Sequence, residues 1–231
     1  MNPLEWLSDI FNLIYPQVCA ACGSKLQRQE DIICILCEHQ LPQTDYHLKS
    51  DSPLDKLFWG RIRLSNVAAM YFYQKGERVQ QLIYQFKYNG WKEVGVKVGQ
   101  LYGRILAETE AYKTVDLIVP VPLHPNKKRK RGYNQSDFFA RGLSESMQIP
   151  WSDNVVQRIA HTPSQTKKTR YERWKNVEDI FAVTQPGLIE GKHILLVDDV
   201  ITTGSTIEAC ATAMLNIKGT QVSAVSIAHA Q

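Results

Sequence analysis

The apolar residues of this chain fall into short runs and helical stripes that alternate from end to end. Val67–Tyr73 is a β-prone run, and Val79, Leu82, Ile83 and Phe86 then recur on one helical face that Asn89-Gly90 stops. Residues 91–110 predict a second helix with Val94, Val98, Leu101 and Ile105 on its buried side. Residues 116–122, Asp-Leu-Ile-Val-Pro-Val-Pro, have the form of a buried parallel strand. A third helix over 133–147 carries Phe138, Phe139, Leu143 and Met147, and Val155 and Val156 open another strand. Residues 161–176 are polar, basic and aperiodic, which predicts a loop entering a short helix. Ile194 to Val197 is an apolar run that ends in Asp198 and Asp199. Ile207, Ala211, Met214 and Leu215 then resume helical spacing, Gly219 takes a C-cap position, and Val222, Val225 and Ile227 suggest a last strand. Strands alternating with helices predict an α/β fold with a parallel, doubly wound sheet flanked by helices. Ligands of such sheets bind beyond the strand C-termini, so residues 120–131 and 198–199 are expected to face one cleft. Leu4, Leu7, Phe11 and Ile14 share a helix face, residues 42–60 read as a linker, and Tyr84, Phe86, Tyr88 and Trp91 read as core and helix packing.

The acids of residues 194–206 and the loop behind them carry the chemistry. Adjacent carboxylates at the end of a buried strand repel each other and lose solvation, so they persist where something uses them. Side by side, Asp198 and Asp199 can accept hydrogen bonds from a vicinal diol. Thr202, Thr203, Ser205 and Thr206 offer hydroxyls, and Gly204 lets the backbone approach a ligand without a Cβ in the way. The free N–H groups of the following helix suit a phosphate. The segment therefore predicts a site for a ribose 5-phosphate, with the acids on the 2- and 3-hydroxyls and the loop on the phosphate. The plainer reading is a strand-to-helix turn whose hydroxyls only cap the helix. No Gly-Lys-Ser/Thr triplet is present, so the loop is not a P-loop. Residues 194–206 resemble the signature of type I phosphoribosyltransferases, which bind phosphoribosyl pyrophosphate (PRPP).

Composition narrows the classes. A length of 231 residues suits one domain with a small appendage, and a net charge of +4 implies no global polycation. The positive charge is concentrated at Lys127, Lys128, Arg129, Lys130 and Arg131 and again around Lys167 to Arg173. No apolar run approaches the ~18–20 residues of a membrane span. Residues 1–17 carry Glu5 and Asp9 and no basic residue, which argues against a secretory signal and for a cytoplasmic protein. A peripheral membrane anchor is the minor alternative there.

Four of the five cysteines lie early, as Cys19-x-x-Cys22 and, 11 residues later, Cys34-x-x-Cys37. Two such pairs on turns can present four thiolates tetrahedrally to Zn²⁺. Gly23 helps the first turn, whereas Glu38 follows the second pair. Two disulfides or a redox pair are the alternatives, and the first needs an oxidising compartment that nothing else suggests. A segment of about 40 residues has little core of its own and gains from a metal staple. Cys210 reads as a small packing residue.

Several blocks in order resemble the ComF family, competence-associated proteins with a phosphoribosyltransferase domain. They are the paired cysteine motifs, Pro-Val-Pro-Leu-His-Pro at 120–125, Arg-Gly-Tyr-Asn-Gln at 131–135, Gln165 with Arg173, Asn176 and Phe181, and the Asp198 to Thr206 stretch. Tyr133 stands where the family has Phe. The resemblance implies a type I phosphoribosyltransferase-like parallel sheet over 49–231 with a zinc ribbon-like subdomain over 1–48. It implies PRPP and Mg²⁺ as ligands, Asp198 and Asp199 as catalytic residues, and Arg131 and Arg173 as PRPP contacts beside Thr202, Thr203, Gly204, Ser205 and Thr206. Residues 165–176 would form a hood over the cleft. The reaction implied is transfer of a phosphoribosyl group to an unidentified acceptor, usually nitrogen, with a link to DNA uptake. A nucleic-acid-binding accessory of competence that contacts single-stranded DNA, or a PRPP-sensing regulator without turnover, stays open beside it. The oligomeric state is not legible.

Overall fold

The computed structural model describes residues 16–159 and 180–230. The N-terminal amphipathic stripe and the basic hood segment with Gln165, Arg173 and Asn176 lie outside the described residues.

The described part opens with a cysteine ribbon that runs into helix α1 (Ile35–Gln40). Residues 42–60, read as a linker, are instead packed structure. Thr44 donates its N–H to Met70 and pairs along the first strand, a short 3-10 helix follows at Tyr46–Leu48, and helix α2 (Pro53–Lys56) starts with a reciprocal Ser52–Asp55 capping box. The polar residues that suggested a linker are turn and cap residues, while Leu54 and Phe58 are buried.

Strand β1 (Val67–Tyr73) leads to α3 (Arg78–Tyr88) and α4 (Lys92–Glu108), then β2 (Leu117–Pro120), α5 (Pro125–Arg131) and α6 (Gln135–Met147). A two-stranded antiparallel ribbon of β3 (Val156–Arg158) and β4 (Phe181–Val183) follows, then β5 (His193–Ile201), α7 (Ser205–Leu215) and β6 (Gln221–Ala230). The main sheet has the order β1-β6-β5-β2 and is parallel throughout. Its strands are buried runs, as expected of a sheet covered on both faces. Among the described residues no helix is long and apolar enough to cross a membrane.

Three differences from the sequence reading shape the site. First, β5 does not stop at its acids. It runs on to Ile201, pairing Val200 with Ala228 and Ile201 with His229 of β6. Its other neighbour stops early, because Pro120 pairs with Val197 and the chain then departs through Pro122. Asp198 and Asp199 thus lie just past the end of β2, with that flank open. Second, the basic run, to which the apolar pattern assigns no element, is a helix, α5. Pro125 occupies its first turn, His124 Nδ1 accepts the Asn126 N–H, and Gly132 ends it at φ 81°. Third, the buried side of α4 is turned toward Tyr102, Leu106 and the glycines Gly95, Gly99 and Gly103, with Leu101 and Ile105 only partly buried. A Cβ on Gly99 would lie 2.5 Å from the Phe139 carbonyl oxygen of α6, and one on Gly142 would lie 2.1 Å from that of Val96. The two helix backbones therefore touch.

Candidate active site and metal centre

The acid pair sits in a polar frame supplied by two helices. The Ser136 hydroxyl, in the first turn of α6, donates to Asp198 Oδ1 at 3.2 Å, and the Asp199 N–H donates to the same oxygen at 2.8 Å. Lys87, near the end of α3, places its Nζ 2.8 Å from Asp199 Oδ1 with both side chains largely buried. Burial, and next the charge of Asp199, push Asp198 up to about 7, against which the Asp199 N–H, Lys87 and Ser136 pull only partly. One acid is thus neutralised by a lysine and the other holds its proton well above the ordinary carboxylate range. Lys87 is a residue that sequence reasoning missed, since a lysine late in a helix is expected for dipole reasons alone.

Thr202 and Thr203 lie between β5 and α7, Gly204 is the N-cap at φ 74°, and Ser205 and Thr206 open the helix. Together with Asp198 they line a concavity of about 210 Å³. The Thr203 and Ser205 hydroxyls are 3.0 Å apart, and the Glu208 N–H caps back onto the Gly204 carbonyl. The loop is braced from behind by the segment read as a linker. A Cβ on Gly204 would lie 2.7 Å from the Phe58 ring. The Arg61 guanidinium donates to the carbonyls of Leu57 and Thr203, at 2.8 and 3.1 Å, and pairs with Glu208 in the first turn of α7. Arg61 thereby fixes the Thr203 peptide and screens an acid close to the expected phosphate. If the loop takes the phosphate of PRPP that the resemblance implies, Arg61→Ala is expected to weaken that binding by about 2- to 5-fold, the size of one partly exposed charged contact. Isothermal calorimetry checks this, and unchanged affinity would mean that the loop holds its shape unaided.

Arg131 is the last residue of α5. It donates to Gln135 Oε1 at 3.0 Å and lies over the Tyr88 ring at 5.3 Å. Tyr88 follows Lys87 on α3, so Arg131 packs on the same helix that supplies the partner of Asp199. Asn134 donates to the Val121 carbonyl at 3.1 Å and ties the start of α6 to the exit of β2. Lys128 and Arg129 help line a wide groove of about 1100 Å³ against β3. Arg173 lies outside the described residues. Of the aromatics read as packing, Phe86 is buried in the core and Trp91 is packed against it, but Tyr84 and Tyr88 face solvent.

The four early cysteines converge. Their sulfurs all lie within 4.8 Å of one another, and none is joined to another. The Cys22 and Cys34 sulfurs are 3.8 Å apart, nearly twice a disulfide bond and close to the ~3.8 Å edge of a tetrahedron with ~2.3 Å metal–sulfur bonds. The first pair forms a knuckle, in which Gly23 at φ 75° donates to the Cys19 carbonyl. The second pair opens α1 with Cys34 at the N-cap, which removes the need for a glycine there. The donor set and spacing fit a metal ion such as zinc. The ribbon is fastened to the main domain by Arg78 on Gln40, at 3.0 Å, and by Lys97 on Glu38, at 2.8 Å.

Known proteins with similar sequences bear directly on this arrangement. The phosphoribosyl transferase domain family matches residues 134–231. The chain is 31% identical over 204 residues to the DNA utilization protein YhgH of Escherichia coli, covering 86% of this chain and 84% of that one. It is 37% identical over 100 residues to competence protein F of Haemophilus influenzae, covering 43% and 44% of the two chains. It is 28% identical over 203 residues to competence protein ComFC of Bacillus subtilis, covering 86% and 78%. With YhgH and ComFC the similarity extends well beyond the single domain, over most of both chains, and this chain belongs to the ComF and YhgH family of proteins built on a phosphoribosyl transferase domain.

Proposed function

We propose that the chain binds PRPP with Mg²⁺ in the cleft at the end of β5 and transfers its phosphoribosyl group to a nitrogen acceptor. The observation that carries this reading is the acid pair and the braced Thr202 to Thr206 loop on one strand-loop-helix unit. Asp198 and Asp199 would receive the ribose hydroxyls, and the loop N–H groups and hydroxyls the 5-phosphate. Arg131 and Lys87 would face the pyrophosphate, and Arg173 is proposed with them from the family pattern. The cleft offers two carboxylates, one already held by Lys87, which suits an ion brought by the substrate's own phosphates. Mg²⁺ there supplies counter-charge to the departing pyrophosphate. In the reaction the bond from C1 to pyrophosphate oxygen breaks, a bond from C1 to nitrogen forms, and the nitrogen gives its proton to solvent. Positive charge would grow on the ribose ring meanwhile, and Asp199, with Asp198 once ionised, would ease it.

In this reading residues 1–48 are a zinc-stapled unit and residues 49–231 carry the transferase. Asp198→Asn and Asp199→Asn are each expected to weaken PRPP binding by ~1.5–3 kcal/mol, roughly 10- to 150-fold. Thr203→Val should cost less, because one neutral hydrogen bond is lost. Calorimetry with Mg²⁺ decides, and wild-type affinity in both Asp variants would exclude PRPP from this cleft. Pyrophosphate release across candidate acceptors separates turnover from PRPP sensing.

A DNA-handling role is the second reading. It is favoured by the names of the relatives and by helix α5, whose five cations accompany no buried residue. Single-stranded DNA would be the ligand of that role.

A further inference from the structure

Helix α3 turns Phe86 into the core but leaves Tyr84 and Tyr88 exposed by 53% and 63%. Their ring centroids are 5.2 Å apart at 44°. The Arg131 guanidinium lies over the Tyr88 ring, 5.3 Å from its centroid. Arg131 ends helix α5, which carries the other four cations, Lys127, Lys128, Arg129 and Lys130. Amphipathic helices ordinarily bury their aromatics, so two neighbouring open rings call for an occupant. A small planar ligand needs an enclosure that covers most of its surface, which these open rings do not provide. Successive bases of a strand need only faces to stack on and cations for their phosphates.

We propose that Tyr84, Tyr88 and Arg131 form a stacking platform for the bases of a single-stranded nucleic acid whose phosphates meet Lys127, Lys128 and Lys130. This rests on the DNA-handling reading and gives it a place and a form of ligand. Stacking is indifferent to base identity, so binding is tolerant of sequence. Duplex binds worse, because its bases are already stacked on each other. The platform also shares Arg131 with the proposed pyrophosphate region, and Tyr88 adjoins Lys87. PRPP and the strand therefore compete at one rim.

The test is fluorescence anisotropy of the full chain with labelled oligothymidylate, with oligouridylate as the arm that separates DNA from RNA. The double variant Tyr84→Ala/Tyr88→Ala is expected to bind at least about 10-fold more weakly. Tyr84→Phe/Tyr88→Phe should stay within about 2-fold of wild type, since the rings remain. Replacing Lys127, Lys128 and Lys130 by Ala should shallow the slope of log affinity on log salt by about 2, at about 0.7 per phosphate. Thermal melting checks that the variants fold, as exposed positions should allow. Unchanged binding by the double Ala variant overturns the platform, and strand binding by the wild type would then leave the DNA reading standing. Equal loss in the Phe and Ala variants overturns stacking as the cause. Tighter binding of duplex, or no competition by PRPP, overturns the open single-strand rim. Failure of the wild type to bind any strand removes the platform and the DNA reading together, while PRPP calorimetry remains an independent result.

Discussion

The four-cysteine site is expected to hold one zinc per chain, and Cys37→Ser to lower the metal content to nearly none and to unfold the ribbon of residues 16–41. In small domains the apparent affinity for structural zinc is ~10–16 kcal/mol, and it is folding energy. Up to Leu41 little else holds the ribbon, whereas from Pro42 the chain is pinned to β1 through the Phe72 N–H on Pro42 and the Thr44 N–H on Met70. The ribbon's apolar contribution to the core is a few small or medium side chains, chiefly Ala20, Ala21, Ile33 and Leu41. The pairs of Arg78 with Gln40 and Lys97 with Glu38 are surface contacts of ~0–1 kcal/mol each. Burial pushes the Cys37 thiol up, so a metal-free site must also stay protonated at its deepest position. Elemental analysis together with limited proteolysis reads both effects. Wild-type protein with no metal and four oxidised cysteines would refute the assignment outright.

Gly204→Ala should damage stability and PRPP binding together. An L-residue at φ 74° costs ~1–2 kcal/mol. The new methyl would stand 2.7 Å from the ring of Phe58, which is 2% exposed and has no room to retreat. Overpacking of that kind costs ~1–3 kcal/mol more. Whatever part the loop absorbs by shifting reappears as lost affinity, at least about 10-fold. Adding Phe58→Ala removes the clash but not the backbone strain. Its melting temperature and PRPP affinity, each set against Phe58→Ala alone, should therefore recover only in part. Full PRPP affinity in Gly204→Ala would mean that this loop does not carry the phosphate.

The sheet was legible because its strands are apolar runs bounded by turn residues, as Val67–Tyr73 shows without a shift of a single residue. The acid pair and its loop were legible because they are contiguous. What was lost has physical causes. Helix α5 holds no apolar residue, so periodicity is silent there, although Pro125 and Gly132 were its start and stop signals. The contact of α4 with α6 is made by absent side chains, Gly95, Gly99, Gly103 and Gly142, and hydrophobic patterns do not register what is missing. Lys87, Phe58 and Arg61 reach the site from over a hundred residues away, and nothing local marks them as partners of Asp199, Gly204 and Glu208.

Helix α3 joins the two chemical centres. Arg78 at its start holds α1 of the cysteine ribbon, and Lys87 near its end holds Asp199. Its 11 residues span only about 16 Å. The two centres thus share one short helix, and any change in its tilt moves Arg78 and Lys87 together.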